Sequence, residues 1–398
     1  MENLNKKNLF IELKNDKYVI TVGEYDEEMN LKILENKTFH SNGIKNGKIF
    51  DISESSKFLK KGLSEIEERA NHVFENANMI LDTDFDCINI SGFKKLNGNQ
   101  ILSEDISYIL NDLKLKIIES EKDKSIAHLF NTKFEIDKKT IKNLPIGLNG
   151  NFYTHDLSVF LVNNNYLKNV NRLLNKCNLN LNRFILKSFV DGVGLIKEKK
   201  KETFFLIKIG EQNSYITFFL ESAYCYFEKF NFGTDIILKD ISKVCDLNIE
   251  IVKNFFREMK FDNVDNLNLR YLDKKYFVDQ KYKKISHEHI FNICKARIDE
   301  IADIIISKNI NLKNYEKKNL HLYILFENND FLKSLGNQFK KKINLGLSVE
   351  TDYDFDMDTH KTVKIFSELI IRGWAKEAIP ITKKKKSLIS SIFSLIFD

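Results

Sequence analysis

Two periodicities of apolar and polar positions run through this chain, one of period two and one of helical period. Residues 9–13 and 18–23 are apolar runs on either side of a polar turn, residues 14–17, and predict a strand pair. Residues 204–209 and 215–220 repeat that shape around the turn 210–214. Further strands are predicted over 87–91, 125–136, 158–162 and 320–326. Helical spacing predicts a helix over 51–75, with Ser55 or Ser56 near its start. Another covers 103–119, capped by Ser103, with Glu104 and Asp105 in its first turn. The same spacing recurs over 166–177, 240–259, 289–306, 330–340 and 363–372. Strands alternating with helices argue for layered α/β architecture. Two similar hairpins, each opening one half of the chain, point to an internal duplication.

Residues 383–398 depart from this pattern. Lys383, Lys384, Lys385 and Lys386 run into a segment in which Ser387, Ser390, Ser391, Ser394 and Asp398 recur at helical spacing. Between them stand Leu388, Ile389, Ile392, Phe393, Leu395, Ile396 and Phe397, all large and apolar. The segment is too short to span a bilayer, which takes ~20 apolar residues. It fits a helix lying in the membrane interface, its lysines drawn to anionic headgroups. The competing reading is a helix packed on the domain's own core. Seven apolar residues directly after a strongly solvated lysine run favour the membrane.

Composition narrows the class. At 398 residues, with 43% hydrophobic and 30% charged positions, the chain is long enough for two or more domains with a sizeable core. Its net charge of +6 sits largely in the tail and in local runs such as 199–201 and 340–342. A general nucleic-acid footprint needs a broader basic face with interleaved aromatics. The five cysteines, Cys87, Cys177, Cys225, Cys245 and Cys294, form no pair at metal-site spacing. That predicts reduced thiols in a cytosolic compartment, with neither a disulfide frame nor zinc. The first ten residues contain no long apolar stretch of the secretory kind.

Three constellations are weak. His287 and His289 flank Glu288, but positions i and i+2 lie on different faces of a helix, so a solvated helix start is expected. Asp352, Asp354, Asp356 and Asp358 alternate without the glycine and closing glutamate of a Ca²⁺ loop. No Gly-x-Ser-x-Gly elbow occurs, so no serine triad is inferred.

Residues 43–53, residues 103–110 and residues 126–150 carry a family resemblance. The first is a Gly-x-x-x-Gly stretch running through Asp51 into a helix. The last holds His128, Asp137, Pro145, Gly147 and Gly150 in a strand-then-loop order. Together with the amphipathic tail, these stretches resemble the FtsA family of bacterial cell-division proteins, in order over essentially the whole chain. The resemblance implies an actin-like fold, two duplicated RNase H-like halves, with an inserted subdomain and a C-terminal amphipathic helix. It implies subdomain 1A over 1–92 and 161–190, the inserted subdomain 1C over 93–160, and subdomain 2A over 191–255 and 318–375. Subdomain 2B would cover 256–317, a linker 376–382, and the membrane helix 383–398.

The departures from that family lie in its nucleotide loops. Actin-fold proteins wrap phosphates with glycine backbone N–H groups, because the chain must approach closely with no side chain in the way. Here the first turn has Lys14 and Asn15 in place of Gly-Thr. In the second turn Lys208 stands at the acidic position, and only Gly210 remains beside Glu211 and Gln212. Glu327 and Asn328 replace the glycine pair of the adenosine turn, whereas Glu250 and Lys253 match the adenine-side pair. Two readings stand. Either ATP binding is weak or lost and the fold alone survives, or Lys14 and Lys208 supply the positive charge that Mg²⁺ normally supplies. The family implies ATP and Mg²⁺ as cofactors; the substituted loops favour the first reading, and no enzymatic activity is expected.

The resemblance further implies a tether, on the cytoplasmic side of the membrane at the division site, for filaments of the tubulin-like FtsZ, the Z ring. Arg297 and Glu300 fit the family's pattern on the helix that receives the FtsZ C-terminal peptide; the plain alternative is a solvated i, i+3 pair. Self-association into actin-like protofilaments, anionic lipids and other divisome proteins complete the implied partners. Two other actin-fold classes compete: a pilus-assembly scaffold and a sugar kinase. Both would be expected to keep the phosphate glycines.

Overall fold

The computed structural model describes residues 6–14, 16–258, 270–278, 280–314, 321–326, 339, 341–342, 348–351 and 358–377. They fold as two compact units. The first comprises residues 1–202, 219–226 and 357–398, and the second residues 203–218 and 227–356. Residues 191–202, expected to open the second half, thus belong to the first unit.

The first unit is built on a five-stranded sheet of β1 (Lys7–Lys14), β2 (Lys17–Tyr25), β3 (Leu31–His40), β6 (Asn76–Leu81) and β11 (Asn180–Leu186), ordered β11-β6-β1-β2-β3. The predicted hairpin forms, with Lys14 opposite Lys17. β6 and β11 run parallel to β1. β3, β6 and β11 were not foreseen: β3 alternates weakly because it is an edge strand, and β6 is a short apolar run between two parallel neighbours in a mixed sheet. The short pair β4 (Ile44–Lys45) and β5 (Lys48–Ile49) leads into α1 (Ile52–Ala70). Asp51 caps α1 by accepting from the Glu54 N–H at 2.9 Å, whereas Ser55 and Ser56 are buried inside the helix. Ser55 and Ser56 lie near its start, as expected, and the cap is Asp51, whose carboxylate precedes the first helical residue, where an orphan N–H can be reached. Leu59, Leu63 and Ile66 of α1 pack with Ile11, Leu13 and Ile20 of the sheet, and α3 (Asn164–Lys176) adds Leu173 and Leu174.

Within this unit sits a second sheet, β7 (Asp86–Lys95), β8 (Lys124–Ile136), β9 (Lys139–Ile141) and β10 (Phe152–Asn163), ordered β7-β10-β8-β9. α2 (Ser103–Ser120) covers one face with Ile106, Ile109, Leu110 and Leu113. Gly92 on β7 permits that approach, since a Cβ there would lie 2.3 Å from Ile109 Cγ2. Ser103 does not cap α2. Leu102 takes the N-cap position and its N–H donates to Asp105 Oδ2 at 2.8 Å, so a first-turn carboxylate supplies the polar contact.

A second five-stranded sheet consists of β12 (Phe204–Ile209), β13 (Ser214–Leu220), β14 (Ala223–Phe230), β15 (His321–Phe326) and β16 (Ser348–Thr351), ordered β14-β13-β12-β15-β16; it belongs to the second unit except for residues 219–226, the end of β13 and the start of β14. β15 runs parallel to β12, and β16 to β15. The order repeats that of the first sheet, with the opening hairpin at the centre and a third strand outside it, which is the duplication the two hairpins announced. The single helix expected over 240–259 is two, α5 (Asp235–Val244) and α6 (Ile249–Glu258). They are separated at Asp246, whose φ of 48° is left-handed and cannot continue an α-helix. α7 (His287–Ala302) starts from the Ser286 cap, and a π-helical turn, Asp303–Ser307, follows it. α4 (Lys187–Lys199) and α8 (Thr359–Arg372), both in the first unit, pack against each other; Asp358 caps α8. Of the helix expected over 330–340 only Phe339 is described, in helical conformation and buried, and Asp352, Asp354 and Asp356 lie outside the described residues.

Candidate functional site

In open α/β sheets, ligands collect outside the carboxyl ends of the parallel strands. In the first unit those ends are Lys14 on β1, residues 81–84 after β6, and Leu186–Lys187 after β11. Lys14 is half-buried at the hairpin end, and Asn15 lies outside the described residues. Lys48 pairs with Asp84, and the Tyr166 hydroxyl donates to the Gly47 carbonyl at 3.3 Å. Burial pushes the Tyr166 phenol well above its ordinary value, so it acts as a neutral donor. At the third strand end, Lys187 Nζ lies 2.8 Å from Asp191 Oδ1 and 2.6 Å from Thr362 Oγ1. Lys187 is 4% exposed and Asp191 0%, so α4 carries a dry ion pair within itself, and the Lys187–Thr362 hydrogen bond ties α4 to α8. Sequence reasoning missed this pair; its one signal is the i, i+4 Lys-Asp spacing on an otherwise apolar helix.

In the second unit the turn after β12 is closed on itself. The Gly210 N–H donates to the Asn213 carbonyl at 3.0 Å. The Gly210 and Glu211 carbonyls accept from the Thr234 and Asp235 N–H groups at 2.9 and 2.8 Å. Gly233 makes this possible: a Cβ there would lie 2.3 Å from the Gly210 oxygen and 2.5 Å from the Glu211 oxygen. The first amides of α5 are therefore spent on protein carbonyls, and the Gly210 N–H, which a phosphate cradle would use, is spent inside the turn. Lys208 lies half-buried at the end of β12 with its ammonium 5.9 Å from the Tyr215 ring centre. Glu211 is exposed beside it, as is Gln212. Glu250 and Lys253 pair with each other on the surface of α6 at 2.9 Å, as an i, i+3 helix pair. The Lys253 ammonium is held above its ordinary value by its hydrogen bond to Glu250. Glu327 and Asn328 lie outside the described residues.

Arg297 and Glu300 stand together on α7, linked by a 2.5 Å contact. The Arg297 fork also grips Asp240 of α5, from Nε at 2.5 Å and from a terminal nitrogen at 3.0 Å. Donating these hydrogen bonds to Asp240 raises the guanidinium pKa. The fork clamps two helices of the second unit, and Glu300, 52% exposed, is its outward member. Asp240 was missed because nothing in sequence links positions 57 residues apart.

The root of the tail is described as far as Glu377. Phe130 of β8 forms a bridge with Glu377, and the Asn131 N–H donates to the Lys376 carbonyl at 2.9 Å. His128 Nδ1 and Glu377 Oε1 are 2.6 Å apart, both side chains 1% exposed. The Leu186 N–H donates to His128 Nε2 at 3.3 Å, so Nδ1 carries the proton toward Glu377. The Trp374 indole N–H donates to the Ser222 carbonyl at 2.7 Å. The chain is thus stapled to β8 of the four-stranded sheet ahead of the lysine-rich segment. The residues of that segment expected to meet a membrane, Lys383–Lys386, Leu388, Ile389, Ile392, Phe393, Leu395, Ile396 and Phe397, lie outside the described residues. Among the described residues there is no cluster of metal-ligating side chains, and no helix is long and apolar enough to cross a membrane.

No family model matches the chain. Its sequence is similar to the cell division protein FtsA of Buchnera aphidicola subsp. Acyrthosiphon pisum, 21% identical over 402 residues, covering 97% of this chain and 94% of that protein. FtsA of Buchnera aphidicola subsp. Schizaphis graminum is 21% identical over 303 residues, covering 74% and 71%. FtsA of Pseudomonas aeruginosa is 21% identical over 234 residues, covering 58% and 56%. Among solved structures, a chain of the PilM-PilN type IV pilus biogenesis complex matches with a TM-score of 0.54 at 11% identity, covering 94% of this chain and 98% of that one. MreB5 of Spiroplasma citri bound to ADP matches with a TM-score of 0.52 at 10% identity, covering 92% and 97%. At such identities the structural matches establish the fold alone, and the sequence matches carry the relationship. The chain has an actin-like fold and is a relative of the cell-division protein FtsA.

Proposed function

We propose that this actin-like cell-division protein tethers FtsZ filaments to the inner face of the cytoplasmic membrane. The reading rests on one observation above all: an FtsA sequence aligns with 97% of this chain over 94% of its own length. The sequence of the tail supplies the membrane contact, since lysines near an anionic surface contribute about 1 kcal/mol each and the buried apolar side chains add to it. The FtsZ peptide contacts α7 near Arg297 and Glu300, where Glu300 is outward and Arg297 is held in place by Asp240. The nucleotide loops act as structural turns: the second one uses its own polar groups, and side chains replace the glycines. ATP hydrolysis is absent from this reading, which leaves self-association to the fold surfaces alone.

Co-sedimentation of the full chain with anionic liposomes and purified FtsZ, with and without ATP, tests it. FtsZ should pellet with the vesicles only when the chain is present, and ATP should make little difference. FtsZ left in the supernatant while the chain pellets would remove the tether; a chain that stays soluble would remove the anchor.

A further inference from the structure

A cavity of about 320 Å³ opens in the first unit at the amino ends of β1, β6 and β11. That is the end of the sheet opposite Lys14 and Lys187, and the lining comes from residues 6–9, 72–76, 78 and 182. Its volume is at the small end for ligand pockets. Local structure builds it. α1 stops at Asn71, whose φ of 45° is left-handed, and the chain then passes through His72–Glu75 to enter β6. Lys7 Nζ donates to the Ala70 carbonyl at 2.7 Å, which holds the last turn of α1 to the start of β1. The ring centres of His72 and Phe74 are 4.8 Å apart, edge to face.

Two amides line the cavity. In β11, Leu181 pairs with Ala77 and Arg183 with Asn78, so Asn182 is a bulged extra residue. A bulge re-aims a side chain, and Asn182 Nδ2 donates to Asn78 Oδ1 at 2.9 Å. Asn78 Nδ2 donates in turn to the Leu9 carbonyl at 3.3 Å. Asn78 is 4% exposed between Ala77 and Met79, both 0%. An apolar side chain in that place would avoid the cost of desolvating an amide. Each amide has two N–H donors and an oxygen with two lone pairs. Among the described residues, these contacts leave one N–H on each amide and the Asn182 oxygen for a ligand. Donor beside acceptor matches neighbouring hydroxyls, which do both. Lys6 and Lys7 set the charge, since their two ammoniums outnumber the one carboxylate of the lining, Glu75.

We propose that this cavity binds a sugar phosphate, with its hydroxyls on the Asn78–Asn182 amides, its phosphate on Lys6 and Lys7, and its C–H surface against the His72–Phe74 rings. The site does not depend on the tether. Isothermal titration of the full-length protein with glucose 6-phosphate, ribose 5-phosphate, glucose and inorganic phosphate tests it. At least one of the sugar phosphates should bind with a Kd below about 1 mM, and glucose and inorganic phosphate at least about tenfold more weakly. Asn182→Ala should weaken sugar-phosphate binding about tenfold and leave inorganic phosphate unchanged, whereas Lys6→Gln should weaken both by about the same factor. Both side chains are exposed, so both variants keep the fold. No binding of either sugar phosphate at about 10 mM overturns the proposal. So does inorganic phosphate binding as tightly as the sugar phosphates, which makes the site one for a plain anion. Binding that neither variant changes also overturns it, because the ligand then sits elsewhere.

Discussion

Replacing Lys187 by methionine tests the dry ion pair within α4 and the hydrogen bond from it to α8. The substitution keeps most of the aliphatic stem and removes the ammonium from a site where Lys187 is 4% and Asp191 0% exposed. It deprives Asp191 Oδ1 of a 2.8 Å partner and Thr362 Oγ1 of one at 2.6 Å. Breaking one side of a buried pair costs about 3–5 kcal/mol, because the remaining charge keeps its desolvation penalty and loses its compensation. Against a typical total of 5–15 kcal/mol, that is a large fraction of the stability. The pair itself is close to balanced, so Lys187→Met/Asp191→Leu should recover most of the loss. Trp374 is the only tryptophan and belongs to the first unit. Its fluorescence during urea unfolding therefore reports that unit's own transition. A single variant within ~1 kcal/mol of wild type, or a double variant less stable than the single, would refute the reasoning.

Four further outcomes are expected. Asp105 is buried, which by itself disfavours its charge, but the Lys94 ammonium and the Leu102 N–H outweigh this and hold its pKa below the ordinary carboxylate value. Its contribution is therefore present above about pH 4 and lost as pH falls through the lowered folded value, so Asp105→Asn should destabilise at pH 7 by an amount that shrinks in acid; a pH-independent difference in urea midpoints would contradict this. Gly233→Ala should push the 210–211 carbonyls off the start of α5, costing about 1–3 kcal/mol for two backbone hydrogen bonds, and an unchanged melting profile of the second unit would disprove the close approach. Arg297→Glu should weaken FtsZ-peptide binding in fluorescence anisotropy; adding Asp240→Arg should restore the α5–α7 clamp but not the peptide, and full recovery of peptide affinity would reduce Arg297 to a structural role. Isothermal titration with ATP should show weak or no binding, with little difference between Mg²⁺ and EDTA; tight Mg²⁺-dependent binding would show that the substituted side chains point away from the loops.

Local sequence determined the elements whose signals are local. The two central hairpins follow from apolar runs around polar turns, and most helices from 3.6-residue spacing. The α/β class follows from their alternation, and the duplication from two hairpins of the same shape. What failed locally did so for physical reasons. β6 is a short strand between two parallel neighbours, where the buried surroundings decide the conformation, and β11 is a half-exposed edge strand paired only with β6. The break between α5 and α6 is made by a left-handed Asp246 inside a stretch that reads as continuous helix. The substituted glycines of the nucleotide loops were legible position by position, but not the use made of them. That the second turn is closed by the amides of Thr234 and Asp235 depends on Gly233 lying against it, more than twenty residues downstream. The Arg297–Asp240 fork, the Lys187–Thr362 contact and the His128–Glu377 staple join positions 57, 175 and 249 residues apart. Such pairs leave no periodicity, because only the folded chain brings together groups whose burial makes each partner necessary to the other.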